Sequence, residues 1–282
     1  MKRSRITITI RKDLLPQIDN IVDKEKIRNR SHAIEYLVKK GLRSGIRKAY
    51  ILAATRGEEK MKALTKDTPK TMLLVDNKPI LHHIIEQLRN NGIKEIIVLI
   101  GYKGEQIKKY FGNGKKFGVK ITYIACEEKI GTANALLKAK NYLSDESFLM
   151  LYGDTLANID FKDLLAFHEE KNRSATIALT SVSNPEGYGV VKLRGSKILK
   201  FTEKPDKKPN LSRLISAGIF VINPKVLNLI TKEKKYLKLE REILPKLALD
   251  GNLYGYHFDG EWYDISTPQA LNRAKKEWSK RI

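Results

Sequence analysis

The chain has 282 residues, 41% of them hydrophobic, and a formal net charge of +22 at pH 7. A chain of this length can bury one large core, or one core with a small appended unit. Its single cysteine, Cys126, excludes an internal disulfide framework. Since it has no signal-like start and no apolar stretch of about 18 residues, we expect a soluble, cytoplasmic protein with no membrane partner.

The positive charge is densest at the amino end of the chain. Residues 1–47 hold 13 Lys and Arg against 5 Asp and Glu, a net charge of +8. An excess of this kind attracts polyanions such as nucleic acids, nucleotides and phosphorylated metabolites. The charge distribution therefore favours partners that carry phosphate.

The first residues alternate between apolar and polar side chains, which predicts a half-buried strand over residues 2–10. Its two faces are formed by Ile6, Ile8 and Ile10 on one side and by Arg3, Arg5, Thr7 and Thr9 on the other. A short helix capped by Asp13 should follow, and then a second helix that is capped by Ser31 and ends near Gly41.

This strand-helix-helix order resembles the ribbon-helix-helix family of DNA-binding proteins. A unit of about 45 residues is too small to bury an adequate core alone, which favours a partner chain. The resemblance implies a homodimer formed through the amino-terminal strands, with duplex DNA as a partner. It assigns the DNA contacts to Arg3, Arg5, Thr7 and Thr9 on the strand, and to Ser31 and His32 at the start of the second helix.

An alternative for the same segment is an edge strand added to the main domain, with a solvated basic face. The short polar stretch 43–47 is the expected joint between two domains. We therefore predict an amino-terminal ribbon-helix-helix domain over residues 1–46 and a second domain over residues 47–282.

The second domain is predicted to alternate strands and helices. Strands are expected at residues 49–54, 95–100 and 119–125, with another strand ending at Asp154. Helices are expected after residue 79, at 104–111 and at 132–143. Such alternation implies an α/β fold with a mainly parallel, doubly wound sheet.

Asp154 follows the apolar run 148–152 and a glycine, so it lies where a buried strand reaches the surface. Ligands of open α/β sheets bind at the carboxyl ends of the strands, and a carboxylate there can hold a hard cation. The alternative is a turn aspartate without a ligand.

Several short motifs follow one another in a characteristic order. They are Pro69-Lys70 with Met72, Val75, Lys78 and Pro79; Gly131-Thr132-Ala133; Gly153-Asp154; Tyr188-Gly189-Val190-Val191; Glu203-Lys204-Pro205; Ala217-Gly218; and Trp262-Tyr263-Asp264-Ile265 with Thr267-Pro268. The series resembles the sugar-1-phosphate nucleotidylyltransferases, also called nucleotide-sugar pyrophosphorylases, over residues 48–282. That resemblance implies a Rossmann-like mixed, mainly parallel sheet.

The resemblance also implies the roles of individual residues. Asp154 and Asp264 would hold Mg²⁺ between the phosphates of a sugar-1-phosphate and a nucleoside triphosphate. Lys70 would offset charge on the nucleotide side and Lys204 on the sugar-phosphate side, while Glu203 would bind sugar hydroxyls. Further substrate contacts are assigned to Gly57, Lys60, Gly131, Gly189 and Gly218.

Each of these residues has an ordinary structural alternative. Lys70 and Lys204 could be solvated surface charges. Asp264 could cap a helix that begins near Pro268. Gly189 and Gly218 could serve turns rather than the close approach of a ligand.

The nucleotide side departs from the family pattern. Relatives carry a glycine-rich loop ending in Gly-Thr-Arg after the first strand, but only Gly57 remains here. Glu58 and Glu59 add negative charge, and the arginine position falls on Glu59 or Lys60. Cys126 stands where relatives often have a base-reading glutamine, and a buried packing role is expected for it.

Two hypotheses of function follow. The first is an enzyme that joins a sugar-1-phosphate to a nucleoside triphosphate, with release of pyrophosphate, and that carries a DNA-binding domain. The second is a transcriptional regulator whose degraded transferase domain senses a sugar phosphate or a nucleotide sugar.

Overall fold

A computed structural model describes residues 7–25, 27–42, 46–54, 59–126, 130–170, 173–206, 212–231 and 236–278. Of the predicted site residues, Arg3, Arg5 and Gly57 lie outside these ranges. The chain divides into two compact units, Met1–Gly45 and Ile46–Ile282. Within the described ranges, no helix is long and apolar enough to cross a bilayer.

The bounds of the regular elements are as follows. The α-helices are α1 (Leu15–Asp19), α2 (Arg30–Leu42), α3 (Ile80–Asn90), α4 (Gly104–Phe111), α5 (Thr132–Lys138), α6 (Phe161–Glu169), α7 (Leu244–Leu249) and α8 (Pro268–Glu277). The strands are β1 (Lys48–Ala53), β2 (Leu74–Val75), β3 (Lys78–Pro79), β4 (Glu95–Ile100), β5 (Lys120–Ala125), β6 (Phe148–Tyr152), β7 (Thr155–Ala157), β8 (Ala175–Ser181), β9 (Gly189–Arg194), β10 (Lys197–Glu203), β11 (Leu214–Ile222), β12 (Leu253–His257) and β13 (Trp262–Asp264).

The smaller unit contains two helices that are fastened by one exposed ion pair. Arg30 at the start of α2 donates from Nε and Nη2 to the two carboxylate oxygens of Asp19, at 2.8 and 2.6 Å. This arrangement lowers the pKa of the Asp19 carboxyl through the hydrogen bond from Arg30. The bidentate geometry fixes the end of α1 against the start of α2.

Three details of this unit differ from the sequence predictions. Asn29, not Ser31, caps α2, because its Oδ1 accepts from the backbone N–H of His32 at 2.9 Å. The first helix begins at Leu15 after a 3₁₀ turn, Lys12–Leu14, so its N-cap is Leu14 and not Asp13. Residues 7–10 form no strand within the single chain, since a strand needs a paired neighbour.

The larger unit is built on a nine-stranded sheet in the order β5-β4-β1-β6-β11-β8-β12-β10-β9. Strands β5, β4, β1 and β6 run parallel. Beyond β6, the pairs β6–β11, β11–β8, β12–β10 and β10–β9 are antiparallel, and β8–β12 is parallel. The α/β fold is confirmed, but the sheet is evenly mixed rather than mainly parallel.

The mixture has a local cause. The antiparallel neighbours β9 and β10 are joined by a tight hairpin at Gly195, whose φ is +57°. A short hairpin can connect only antiparallel strands, whereas each parallel pair needs a crossover such as α3 or α4. The alternation of strands and helices therefore holds for the first half of the sheet only.

Helices cover both faces of the sheet. Along β1, Ala49, Ile51 and Ala53 join one buried cluster with residues of α3, α6 and α8, whereas Tyr50 and Leu52 join another with residues of α5 and α7. This alternation follows the period of two of a strand. Burial on both faces explains why β1 reads as a continuous apolar run. The parallel pairing of β1 with β6 places the carboxyl ends of these two strands side by side.

Two elements of the parallel half are confirmed residue for residue, β4 at 95–100 and α4 at 104–111. The helix expected at 132–143 is shorter. The α-helical part ends at Lys138, and a 3₁₀ turn, Lys140–Tyr142, continues the chain. The change occurs at Ala139, whose N–H donates to the Leu136 carbonyl at 3.1 Å, an i→i−3 bond that tightens the last turn.

Candidate active site

Asp154 and Lys70 meet at the carboxyl edge of the parallel strands. Asp154 follows β6 after Gly153, whose N–H donates to the Leu52 carbonyl of β1 at 2.9 Å. Lys70 begins a 3₁₀ turn, Lys70–Met72, and its Nζ forms an ion pair with Asp154 Oδ2. The Lys70 side chain is only 6% exposed. The alternative that Lys70 is a solvated surface charge is therefore wrong.

Asp264 lies beside Asp154 because β13 pairs antiparallel with β7. In that pair Asp264 faces Thr155, and the N–H of Ile265 donates to the Asp154 carbonyl at 3.0 Å. The helix-cap alternative for Asp264 is wrong, because Thr267 caps α8 by accepting from Ala270 N at 3.1 Å. The two aspartates thus stand at the ends of neighbouring strands.

The two carboxylates fit one kind of metal site. Among the described residues, no group of three or more His, Cys, Asp and Glu side chains is arranged to hold a metal ion. Mg²⁺ is commonly bound through one or two carboxylates, with waters and substrate phosphates as its other ligands. Asp154 and Asp264 suit a site of that kind, which substrate completes, rather than an all-protein cage.

Glu203 and Lys204 lie at the end of β10. Glu203 faces Gly189 of β9 in the antiparallel register. Lys204 has a φ of +44°, a left-handed conformation that is costly for a residue with a side chain, and its N–H donates to the Tyr188 carbonyl at 3.0 Å. Residues held in such conformations are concentrated at functional sites.

Aromatic and backbone contacts connect this end of β10 to β13. The Tyr188 ring packs edge-on against Trp262, with centroids 5.4 Å apart. Trp262 Nε1 in turn donates to the Ala217 carbonyl of β11 at 3.0 Å. Glu203 and Lys204 are thereby linked through packed neighbours to Asp264, although Asp264 lies 60 or more positions further along the sequence.

Gly218 occupies an irregular step in β11 that only glycine suits. Its φ is +74°, and a Cβ there would lie 2.9 Å from Cδ2 of Tyr152. The pairing of β11 with β8 shifts register between Ser216 and Phe220. The glycine lets β11 pass directly over the ring of Tyr152, which is the residue two positions before Asp154.

A buried carboxylate that the sequence analysis did not identify joins these parts. Glu240 lies in a π-helical turn, Leu239–Ile243, and is 9% exposed. Its Oε1 accepts from the Tyr152 hydroxyl, and its Oε2 accepts from Thr132 Oγ1 at 2.6 Å. Burial raises the pKa of the nearby Glu203 carboxyl, and the charge of Glu240 raises it further.

The sequence offered only a partial signal for these residues. Thr132 stands in the Gly-Thr-Ala motif and Tyr152 directly precedes Gly153-Asp154, but the motifs by themselves assign neither residue a role. Glu240 and Glu242 stand on either side of Arg241, a local pattern that does not distinguish a buried carboxylate from an exposed one. Glu242 is in fact exposed.

The base side of the site is less complete in the described residues. Gly131 directly precedes α5 as its N-cap residue, and a Cβ there would overlap the Leu237 carbonyl, so its small size serves packing. Cys126 is buried, as expected. Lys60 is exposed in the turn Glu59–Met61.

The residues assigned to DNA contact belong to the smaller unit. Thr7, Thr9 and Ser31 are exposed, and His32 is half-buried in the first turn of α2. Arg3 and Arg5 lie outside the described residues.

Comparison with known proteins agrees with this geometry. Residues 48–281 match the model of the nucleotidyl transferase family. The chain is 34% identical to a probable glucose-1-phosphate cytidylyltransferase of Bacillus subtilis, over 82% of this chain and 96% of that protein. It is 35% identical to the mannose-1-phosphate guanylyltransferase catalytic subunit beta of Dictyostelium discoideum, over 79% of this chain and 62% of that protein.

A solved structure shows the same architecture. A putative glucose-1-phosphate thymidylyltransferase from Bacillus anthracis, crystallised with sucrose, aligns with a TM-score of 0.77 and 26% identity, covering 83% of this chain and 96% of that one. The homologues of the chain are sugar-1-phosphate nucleotidyltransferases. The chain belongs to the nucleotidyl transferase family.

Proposed function

We propose that residues 46–282 transfer a nucleotidyl group from a nucleoside triphosphate to a sugar-1-phosphate. The observation that carries this proposal is the group formed by Lys70, Asp154 and Asp264 at the carboxyl edge of the parallel strands. A buried ammonium and two carboxylates at that edge suit a reaction between two phosphate-bearing substrates.

The reaction needs positioning and charge neutralisation more than proton transfer. An oxygen of the sugar-1-phosphate forms a new bond to the α-phosphorus of the triphosphate. The bond between that phosphorus and the oxygen bridging to the β-phosphorus breaks, and its electron pair leaves with pyrophosphate. Because the attacking oxygen is already anionic, no general base is required.

Asp154 and Asp264 would hold Mg²⁺, which would neutralise phosphate charge when bound. Lys70 would offset charge on the nucleotide phosphates, and Lys204 would do so on the sugar phosphate. Glu203 would accept hydrogen bonds from sugar hydroxyls, opposite Gly189, whose lack of a side chain lets the Phe201 ring pack against the backbone. Gly218, Gly131, Gly57 and Lys60 are proposed as further contacts.

The nucleotide half of the site is proposed to bind weakly. The loop after β1 retains one glycine, Gly57, and carries Glu58 and Glu59 where triphosphate would lie. Cys126 offers little hydrogen bonding for reading a base.

Product analysis with a panel of sugar-1-phosphates, the four nucleoside triphosphates and Mg²⁺ tests the activity. Release of pyrophosphate with a nucleotide sugar supports it, and binding without turnover supports the alternative of a sensing regulator.

We further propose that residues 1–45 form a dimeric ribbon-helix-helix unit that binds duplex DNA. In the described part of this unit only Ile18 and Ala33 are buried among the apolar side chains, whereas Ile8, Tyr36 and Val38 are 45–50% exposed. A unit with so little core needs a partner to cover its apolar surface. A second copy is the natural partner for the predicted strand, because its described residues, 7–10, pair with no other strand of the described chain.

The DNA contact has its own test. Arg5→Ala should relax sequence preference and cost about 1–3 kcal/mol if Arg5 makes a bidentate base contact. Exposed Arg11, which pairs with Asp13 at 3.1 Å, supplies the matched control Arg11→Ala. Affinity should fall steeply with salt. Equal binding of selected and random duplexes at every salt concentration would contradict base reading through Arg5, Thr7 and Thr9.

A further inference from the structure

Glu240 connects two parts of the site that approach it from different strands and helices. Its Oε2 accepts from Thr132 at the first turn of α5, and its Oε1 accepts from Tyr152 at the last residue of β6. Thr132 Oγ1 also accepts from the N–H of Leu239 at 2.8 Å, which fastens α5 to the π-helical turn twice. The carboxylate is thus a bridge with both oxygens engaged.

The surroundings of Glu240 suggest that this bridge has a role beyond packing. A carboxylate that is 9% exposed costs free energy unless it is well hydrogen-bonded, so an apolar residue would serve a simple core better. The π-helical turn that carries it, Leu239–Ile243, is a rare conformation found mostly at functional sites. Glu203 lies close enough for Glu240 to affect its ionisation.

Each end of the bridge adjoins a different substrate half. Thr132 follows Gly131 on the nucleotide side, whereas Tyr152 stands two residues before Asp154 and beneath Gly218. We propose that Glu240 is a positioning residue that holds the nucleotide side and the sugar-phosphate side of the site in fixed alignment. This inference rests on the proposed transferase function.

The bridge should act on alignment rather than on the binding of either substrate alone. A displacement of about 1 Å between reacting groups can cost about 100-fold in rate. Glu240→Ala should therefore lower kcat by about 10- to 100-fold, with a smaller change in the Kd of each substrate measured separately. Glu240→Gln can still accept from Thr132 and donate to the Tyr152 oxygen, so it should restore most of the rate.

The matched control is Glu242→Gln, which removes an exposed negative charge from the same turn and can still accept from the N–H of Lys238, as Glu242 does at 2.8 Å. Tyr152→Phe and Thr132→Val each remove one hydrogen bond with little change in shape, and they serve if Glu240→Ala does not fold. Each should lower kcat, and in a double-mutant cycle with Glu240→Ala their effects should not add.

The outcomes separate the inference from the function on which it rests. A wild-type protein that turns over no substrate pair removes the proposed function, and the inference with it. A wild-type protein that turns over normally, together with a Glu240→Ala rate within about twofold of it, overturns the inference alone. Equal damage by Glu240→Gln and Glu240→Ala also overturns it, because the charge and not the bridge would then matter.

Discussion

Lys70 and Asp154 form an ion pair in which the two side chains are only 6% and 18% exposed, although 84 residues separate them in sequence. The pair joins the turn that follows Pro69 to the end of the β6 strand. Because a shielded charge that loses its partner is costly, each residue constrains the other. The pair places one cation and one carboxylate at the edge where phosphates would bind.

Asp154→Asn is expected to lower kcat by at least about 100-fold, because the proposed magnesium site loses a charged ligand. It should also weaken Mg²⁺ binding, measured by calorimetry with sugar phosphate present. Asp145→Asn, an exposed carboxylate before β6, is the control and should behave as wild type. Chelation of Mg²⁺ should stop wild-type turnover. An Asp154→Asn enzyme with normal rate and metal affinity would contradict the assignment.

Lys204→Ala is expected to weaken sugar-phosphate binding by about 10-fold or more, since one cation facing the phosphate is lost. Its stability should change little, because the φ of +44° is unfavourable for lysine and alanine alike. Lys200→Ala, an exposed lysine of the same strand, provides the control. Titration of sugar-1-phosphates by calorimetry measures the effect. Unchanged affinity in the Lys204 variant would remove this residue from the proposed site.

Nucleotide recognition is expected to be weak and nearly indifferent to the base, whereas sugar recognition should be selective. The physical reason is that buried Cys126 cannot make the paired hydrogen bonds that distinguish one base edge from another. Separate calorimetric titrations of the four triphosphates and of several sugar-1-phosphates in Mg²⁺ measure both properties. Tight binding of a single triphosphate would show that the unusual loop forms an ordinary nucleotide site.

Stability is expected to fall between pH 6.5 and 4 through His168. Burial first, and the charge of Arg173 second, lower the pKa of His168 from 6.5 to about 4. The fold thus holds the neutral imidazole, which contacts Thr176 and Ser147 hydroxyls at 2.9 and 3.1 Å. Its contribution is complete above pH 6.5 and is lost as the pH falls, by about 2 kcal/mol at pH 5.

Urea denaturation at pH 7 and pH 5 measures this loss. His168→Gln keeps a neutral hydrogen-bonding side chain, so its unfolding free energy should depend less on pH than that of the wild type. Equal slopes in the two proteins would assign the acid sensitivity to other groups.

Deletion of residues 1–45 is expected to abolish or loosen a dimer, because it removes the exposed apolar side chains Ile8, Tyr36 and Val38 through which two copies would pair. Light scattering of the full chain and of the shortened chain measures the assembly. The shortened chain should retain its transferase activity, because that activity is proposed to belong to the larger unit alone. An unchanged assembly state would count against the ribbon-helix-helix hypothesis.

The sequence by itself determined those helices and strands whose buried face is visible in the periodic spacing of their apolar residues. The strand β4 and the helix α4 agree with the prediction at both ends, since apolar period and flanking glycines are properties of neighbouring residues. The family was also readable from the order of short motifs, as was the position of Asp154 at the end of a strand.

The tertiary structure alone decided the pairing of Lys70 with Asp154, the even mixture of parallel and antiparallel strands, and the burial of Glu240. In each case the partners come from distant parts of the chain, as Glu240 does for Thr132 and Tyr152. Local sequence preferences specify the faces and ends of elements. They do not specify which distant side chain packs against a given face or end, because that depends on how the elements pack together.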